Sequence, residues 1–300
     1  MNSDIKIGVI GGDERQLVIA QTLSDAGFEV AVFGFKDPGA FHKGITRSTD
    51  LRGAVHDSAA IVLPLPYSRD GKNIFCPLGS EREQAVRTAE LFENLNQDQL
   101  VIGGNFDENI MCEAKTRGIK LCDYYTREDI GILNAIPSAE GALEVAFREL
   151  PVTIYGSSVH ILGFGKIGKV LSKILYSLGA DVTVYARAKP DLAWIKVYGY
   201  RSHDITQLDR LSAPFDGATV IFNTVPKQLL EENILKKMSP DTLIIDLASE
   251  PGVVDTETAE KLGIKTVRAL SLPGKTAPIS AGKIISEGIF GILQSEGIIP

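Results

Sequence analysis

Along the whole chain, short apolar runs bounded by glycine, proline and polar turns alternate with stretches whose apolar residues recur at helical spacing. Continuous apolar runs read as strands buried on both faces, and the 3.6-residue period reads as helices with one buried side. Strands are predicted at Ile5–Ile10, Phe28–Phe33, Ala60–Leu65, Leu100–Ile102 and Ile119–Cys122. They recur at Val159–Leu162, Val182–Tyr185, Ala218–Val225, Thr242–Leu247 and Lys265–Leu270. Helical spacing covers Leu17–Leu23, Glu81–Leu95, Glu108–Arg117, Ala139–Leu150, Ile167–Leu178, Asp191–Tyr198, Gln228–Met238 and Thr256–Leu262, and Ile279–Leu293 closes the chain. Strands alternating with helices in this way predict parallel sheets covered by helices.

The stretch Val159–Arg187 adds chemistry to that pattern. Its first strand runs into Gly163-Phe164-Gly165-Lys166-Ile167-Gly168, a helix face follows, Gly179 ends the helix, and Val182–Tyr185 is the next strand. In this context GxGxxG is a dinucleotide-binding fingerprint. The first glycine makes the tight turn, the second lets a pyrophosphate approach the backbone, and the third lets helix and strand pack closely. The unpaired amides at the helix start then bind phosphate oxygens. The fold class is therefore α/β, with two Rossmann-like doubly wound parallel-sheet domains, the second a dinucleotide-binding domain. Residues 1–138 are assigned to a substrate or partner domain, 139–150 to a connecting helix and 151–278 to the cofactor domain. The last helix, about 279–300, is a candidate to pack back on the first domain.

The tip of the second strand selects the cofactor. An NAD site usually carries an acid there for the ribose 2′-OH, whereas this strand ends Tyr185-Ala186-Arg187, with Lys189 next and no acid until Asp191. A guanidinium suits a 2′-phosphate, so the expected cofactor is NADP. The N-terminal βαβ unit opens with Gly11-Gly12-Asp13-Glu14-Arg15-Gln16, which lacks the third glycine. It is read as a substrate scaffold in preference to a second dinucleotide site, with Asp13 and Arg15 at its ligand-binding edge.

Composition narrows the function. Three hundred residues, 44% of them hydrophobic, suffice for two cores. A net charge of −7 argues against a general nucleic-acid or membrane-surface role, so an anionic ligand needs local Arg, Lys and amide clusters. Cys76, Cys112 and Cys122 show no paired spacing, and neither a zinc pattern nor a signal peptide is evident. A cytoplasmic chain without a metal is expected.

Polar loops leave several strand ends, where open α/β sheets bind ligands. Pro64–Lys72 offers Tyr67, Ser68, Arg69 and Lys72 to an anion, or is a mobile surface loop. Tyr125–Gly141 carries Arg127, Asn134, Glu140 and Ser138, a helix N-cap, and faces a cleft or supplies caps and ion pairs. Asn223, Thr224, Val225 and Pro226 are expected near the nicotinamide ribose. Loops Leu247–Gly252, with Ala248 and Ser249, and Ser271–Pro278, with Lys275 and Thr276, are expected to line the nicotinamide pocket. Expected cofactor contacts are thus Gly163, Phe164, Gly165, Lys166, Ile167, Gly168, Arg187, Asn223, Thr224, Val225, Pro226, Ala248 and Ser249.

Hydride chemistry belongs to the cofactor; the protein supplies position and electrostatics. The four histidines are His42, His56, His160 and His203. None lies late enough to be the acid/base group of a 2-hydroxy-acid dehydrogenase. His160 is expected in the core and His203 on a surface loop. Oxidation of a partly reduced ring fits, since aromatisation supplies driving force. Lys275 leads as the ionisable group near the nicotinamide, with carboxylate orientation or loop capping as alternatives. Glu140 follows, and Asp246 is read as a holder of backbone amides.

IGGDERQ, REDIGILNAIPSAEG, ILGFGKIG, NTVP, LIIDLASEPG and SLPGKTAPISAG, in this order, resemble the dipicolinate synthase A-subunit family over essentially the whole chain. The resemblance implies NADP-dependent oxidation of dihydrodipicolinate, or its 4-hydroxytetrahydro precursor, to dipicolinate. It further implies that a flavoprotein-like dipicolinate synthase B subunit is the partner, and that the setting is the mother-cell cytoplasm of a sporulating bacterium. A homo-oligomer is also expected. Such a small dicarboxylate substrate needs two separate clamps, for which Ser68, Arg127, Asn134, Ser138, Lys275 and Thr276 are candidates. A regulatory NADP-binding subunit without turnover, or a dehydrogenase for another small carboxylate, stands as the alternative.

Overall fold

Parallel pairing needs apolar side chains on both faces of a strand, and the chain supplies such strands in two sets. The structure, a computed structural model, describes residues 4–36, 44–213, 215–249 and 252–300; His42, Glu250 and Pro251 lie outside the described residues. Two compact units result, Met1–Asn134 with Ala277–Pro300, and Ala135–Thr276.

The first unit holds β1 (Lys6–Ile10), β2 (Glu29–Phe33), β3 (Ile45–Arg47), β4 (Ala60–Val62), β5 (Leu100–Gly103) and β6 (Lys120–Asp123), in the order β3-β2-β1-β4-β5-β6. The second holds β7 (Ser158–Leu162), β8 (Asp181–Ala186), β9 (Arg201–Asp204), β10 (Val220–Asn223), β11 (Leu243–Asp246) and β12 (Thr266–Arg268), in the order β9-β8-β7-β10-β11-β12. Every pairing is parallel. Both sheets therefore have the doubly wound order, with the strand sequence reversing beside β1 and beside β7. Crevices at the carboxyl ends of such switch points are where this architecture takes ligands.

Residues with no exposure at the sheet centres, Ile7, Val9, Val32 and Val62 in one unit and Val159, Ile161, Val184 and Val220 in the other, anchor separate cores. In the first unit the terminal helix Pro278–Ser295 packs on helix Glu14–Asp25. Gly282 makes this possible, since a Cβ there would meet the Val18 Cβ at 2.7 Å. In the second, helix Ala135–Glu149 buries Ala139, Leu143 and Ala146. The Glu128–Glu149 stretch has the length and composition to cross a membrane, but 67% of its window is buried inside the protein, as in a core helix.

Several elements differ from the sequence expectation. Glu81–Leu95 is two short helices, Glu81–Gln84 and Thr88–Glu93. The chain opens between them because the Ile74 amide donates to the Val86 carbonyl (2.9 Å) and Asn73 bridges Arg87. Gln228–Met238 contracts to a helix over Glu232–Leu235; the amides of Leu229 and Leu230 instead donate to the Val253 carbonyl. Ser138 is not an N-cap: the helix already begins at Ala135, with Pro137 in the first turn where its missing N–H costs nothing. Ser271–Pro278 is not all loop but contains helix Leu272–Thr276. His203 lies on β9, and β3 and β9 are short polar edge strands that periodicity does not reveal.

Candidate functional site

The three glycines of the central motif meet three different environments. Gly163 follows β7 with φ +102°, and a Cβ there would stand 2.3 Å from the Thr224 Oγ1. At Gly168 a Cβ would stand 2.3 Å from the Gly163 carbonyl oxygen, which is the close helix–strand approach required of the third glycine. At Gly165 a Cβ would meet nothing within 4 Å. The backbone is thus open on the side where a pyrophosphate lies in such motifs. Helix Lys166–Ser177 starts immediately beyond, with Gly165 as its N-cap and no side-chain cap bond, leaving the anion position at a helix N-terminus to a ligand.

The turn is held from behind. Gly163 donates to the Tyr185 carbonyl (2.8 Å), and both the amide and the hydroxyl of Thr224 donate to the Leu162 carbonyl (2.9 Å each). Asn223 is fully buried. Its amide group donates to the Val225 carbonyl (2.9 Å) and the Asp246 carboxylate (2.7 Å), and its oxygen accepts from the Val225 amide (3.0 Å). Asp246, 1% exposed, also accepts from the amides of Ala248 (3.2 Å) and Val253 (2.9 Å). A buried carboxylate persists when donors satisfy its oxygens, and here those donors come from the end of β10 and the segment after β11. Asp246 is a holder of backbone, as its place in the sequence suggested.

A cavity of about 890 Å³ opens at this edge. Gly163, Phe164, Gly165, Arg187, Thr224, Val225 and Pro226, all expected cofactor contacts, line it. Lys166, Ile167 and Gly168 form the helix start beside it, Asn223 stands behind its wall, and Ala248 and Ser249 follow β11 outside its lining. Arg187 is exposed at the tip of β8 between Ala186 and Ala188. The cavity also has walls that carry no motif. These are Ile205, Thr206 and Asp209 after β9, and Gln228, Glu231 and Asn233 after β10. Asp191, Asp209 and Glu231 bring carboxylates to the rim alongside Arg187 and Lys227.

His160 is a core residue, between Ser158 Oγ (3.2 Å) and the Tyr185 hydroxyl (3.0 Å). Burial, then the nearby Arg201 and His203, pull its pKa down to about 4. His203 stacks on the Tyr185 ring at 5.4 Å. Neither histidine lines the cavity.

The substrate candidates fall in both units. In the first, the loop after β4 is bonded to itself. Ser68 donates to the Asp70 carboxylate (3.0 Å), and backbone amides of Asn73 and Lys72 hold that carboxyl well below the usual range. Tyr67 donates to Asp107, and Arg69 lies 4.1 Å above the Phe75 ring. Arg127 pairs with Asp129 (2.9 Å) and lies against Gly291, while Asn134 is buried at the end of helix Glu128–Leu133. In the second unit, Ser138 and Glu140 lie on helix Ala135–Glu149, and Lys275 and Thr276 on helix Leu272–Thr276, outside the lining of the cavity they were expected to join. Gly141 lets the Leu272–Thr276 helix approach, and the Thr276 hydroxyl donates to Glu144 (3.0 Å). Glu140 and Lys275 are exposed.

Comparison with known proteins is consistent with this division of labour. Residues 6–125 match the family described as the N-terminal domain of the dipicolinate synthase A subunit, and residues 139–272 match the D-isomer specific 2-hydroxyacid dehydrogenase NAD binding domain. The dipicolinate synthase A subunit of Bacillus subtilis is 32% identical over 98% of this chain and 97% of its own length. The crystal structure of the dipicolinate synthase A subunit from Bacillus halodurans has 31% identity and a TM-score of 0.87, covering 98% of this chain and 99% of that one. A transhydrogenase from Sinorhizobium meliloti, at 14% identity and TM-score 0.70 over 97% of this chain and 92% of that one, shares the fold alone. The second unit is thus a dinucleotide-binding domain of dehydrogenase type, and the chain belongs to the dipicolinate synthase A-subunit family.

Proposed function

We propose that this chain is the NADP-dependent dehydrogenase subunit of a dipicolinate synthase. It oxidises dihydrodipicolinate, or its 4-hydroxytetrahydro precursor, to dipicolinate in the mother-cell cytoplasm during sporulation. The observation that carries the reading is the open backbone at Gly165 with Arg187 at the neighbouring strand tip, the first suited to a pyrophosphate and the second to a 2′-phosphate. The relatives' name supplies the substrate class. Bound NADP would supply the hydride acceptor, held by Gly163, Gly165, Lys166, Arg187 and Thr224.

The chain's own residues bind, orient and handle the proton. Conversion of a dihydropyridine to the aromatic ring releases one hydride and one proton, the 4-hydroxytetrahydro precursor loses a water besides, and aromatisation drives the loss. Lys275 takes the proton role, with Glu140 as the second candidate. The candidate carboxylate clamps are Ser68, Arg127 and Asn134 in the first unit, and Ser138 and Thr276 in the second. The flavoprotein-like B subunit is the partner, and the enzyme assembles as a homo-oligomer besides.

Purified chain mixed with NADP and the dipicolinate precursor, without the B subunit, is expected to form NADPH and dipicolinate. No turnover with or without the B subunit, despite tight NADPH binding, would instead identify a regulatory cofactor-binding protein. Arg127→Ala is expected to raise the substrate KM by about tenfold while NADPH affinity stays constant; an unchanged KM removes Arg127 from the clamp.

A further inference from the structure

The outer surface of the second unit leaves aromatic rings in solvent. Tyr155, Tyr176, Trp194 and Tyr198 are 78, 50, 53 and 50% exposed, and Val197 is 71% exposed. Tyr176, Trp194 and Tyr198 join through Tyr200 into one face, while Tyr155 stands apart from it. Tyr155 lies over Gly179, Tyr176 and Tyr198 both pack against Tyr200 with centroids 5.1 and 6.0 Å apart, and Trp194 stacks on Tyr198 at 5.6 Å. Single exposed apolar residues are ordinary on a soluble protein, but a joined aromatic face marks a contact surface.

Charge indicates what covers it. Helix Lys166–Ser177, KIGKVLSKILYS, carries three lysines and no acid. Lys196 stands beside Val197 on helix Lys189–Val197. Lys173 and Lys196 are exposed and make no ion pair among the described residues. The chain as a whole has net charge −7, so this positive rim is a local departure. Isologous pairing with a second copy would bring two patches of the same positive sign together, a like-charge contact that disfavours association. A partner presenting carboxylates around an apolar centre neutralises the rim and buries the rings together. Tyr198 also leans on Phe164 (6.3 Å), which lines the cofactor cavity, so whatever docks here touches the back of the dinucleotide turn.

We propose that the face of Tyr176, Trp194, Val197 and Tyr198, rimmed by Lys173 and Lys196, docks the companion subunit of the synthase through an apolar patch ringed by acidic residues on that companion. The identity of the companion rests on the function proposed above. Association of the full chain with the purified B subunit of dipicolinate synthase, followed by biolayer interferometry at low and high salt, tests it. The paired substitution Lys173→Glu/Lys196→Glu is expected to slow association about tenfold and to abolish its salt sensitivity. Trp194→Ala is expected to speed dissociation about tenfold. NADPH binding and the melting curve should be unchanged in both variants.

Equal kinetics for wild type and both variants would overturn the proposal. So would self-association, read by sedimentation, that the lysine substitutions alter, or lysine-dependent capture by vesicles of anionic lipid. Wild-type chain that ignores the B subunit would overturn both docking and partner, while intact NADPH binding would leave the dehydrogenase reading in place.

Discussion

In the first unit the Gly12 amide donates to the Phe75 carbonyl at 2.7 Å, and the helix that follows is capped by its own Asp13, whose carboxylate also grips Arg15 at 2.8 and 2.9 Å. In the second unit Gly165 stands where the first has Asp13, as the helix N-cap; a side chain there would meet open space, and the helix has no side-chain cap bond. Both turns sit beside the reversal point of sheets with one strand order. What separates them is local: the first supplies an anion from within the chain, and the second leaves the amides and the positive helix end to a ligand. A shared architecture therefore does not carry a shared site, and a site has to be argued residue by residue.

The largest expected effect that sharpens this contrast comes from Gly165→Ala. The new methyl meets no protein atom, and the backbone φ of −77° suits any residue, so stability should hold. The methyl would occupy the pyrophosphate's approach, and NADPH affinity should fall about a hundredfold in a fluorescence titration. Unchanged affinity would break the assignment of this turn. Gly12→Ala is the control in the first unit's turn. Its φ of +101° and a Cβ only 2.0 Å from the Gln16 Cγ predict a loss of about 2 kcal/mol in denaturant unfolding, with NADPH affinity intact. Loss of NADPH binding there would place a cofactor in the wrong unit.

Smaller effects probe the walls. Arg187→Ala is expected to weaken NADPH about tenfold and leave NADH nearly unaffected; parallel losses for both cofactors would remove the 2′-phosphate contact. The weakest effect concerns pH. His160 is buried with its pKa near 4, below the ordinary value of about 6.5. Between those values the unfolded chain takes up a proton that the folded chain does not. Stability of the second unit is therefore full above about pH 6.5 and declines as pH falls toward 4, by about 1 kcal/mol over the first pH unit. Trp194, the chain's single tryptophan, lies in that unit and reports its unfolding. In His160→Gln the tryptophan transition should lose part of this pH dependence.

Much of the fold was legible because its causes are near neighbours. The apolar runs at Ile5–Ile10 and Val159–Leu162 and the capped helix Glu108–Arg117 emerge where expected. The breaks at Ala85–Arg87 and Gln228–Glu231 were not legible, since each exists to meet a carbonyl or amide from another part of the chain: Val86 receives Ile74, and Leu230 reaches Val253. The cofactor turn was readable from its glycines, but Thr206, Asp209 and Gln228 join its cavity with no motif of their own.

By itself the sequence determined the alternation of strands and helices, the glycine turn after Leu162 and the cationic tip at Arg187, because each depends on residues adjacent in the chain. Only the tertiary structure decided that Phe75 closes the Gly12 turn, that Asn223 and Asp246 brace one another behind the cavity, and that the rings around Tyr200 join into one face. Those outcomes need partners far apart along the chain, and local pattern cannot say which distant carbonyl, carboxylate or ring will arrive.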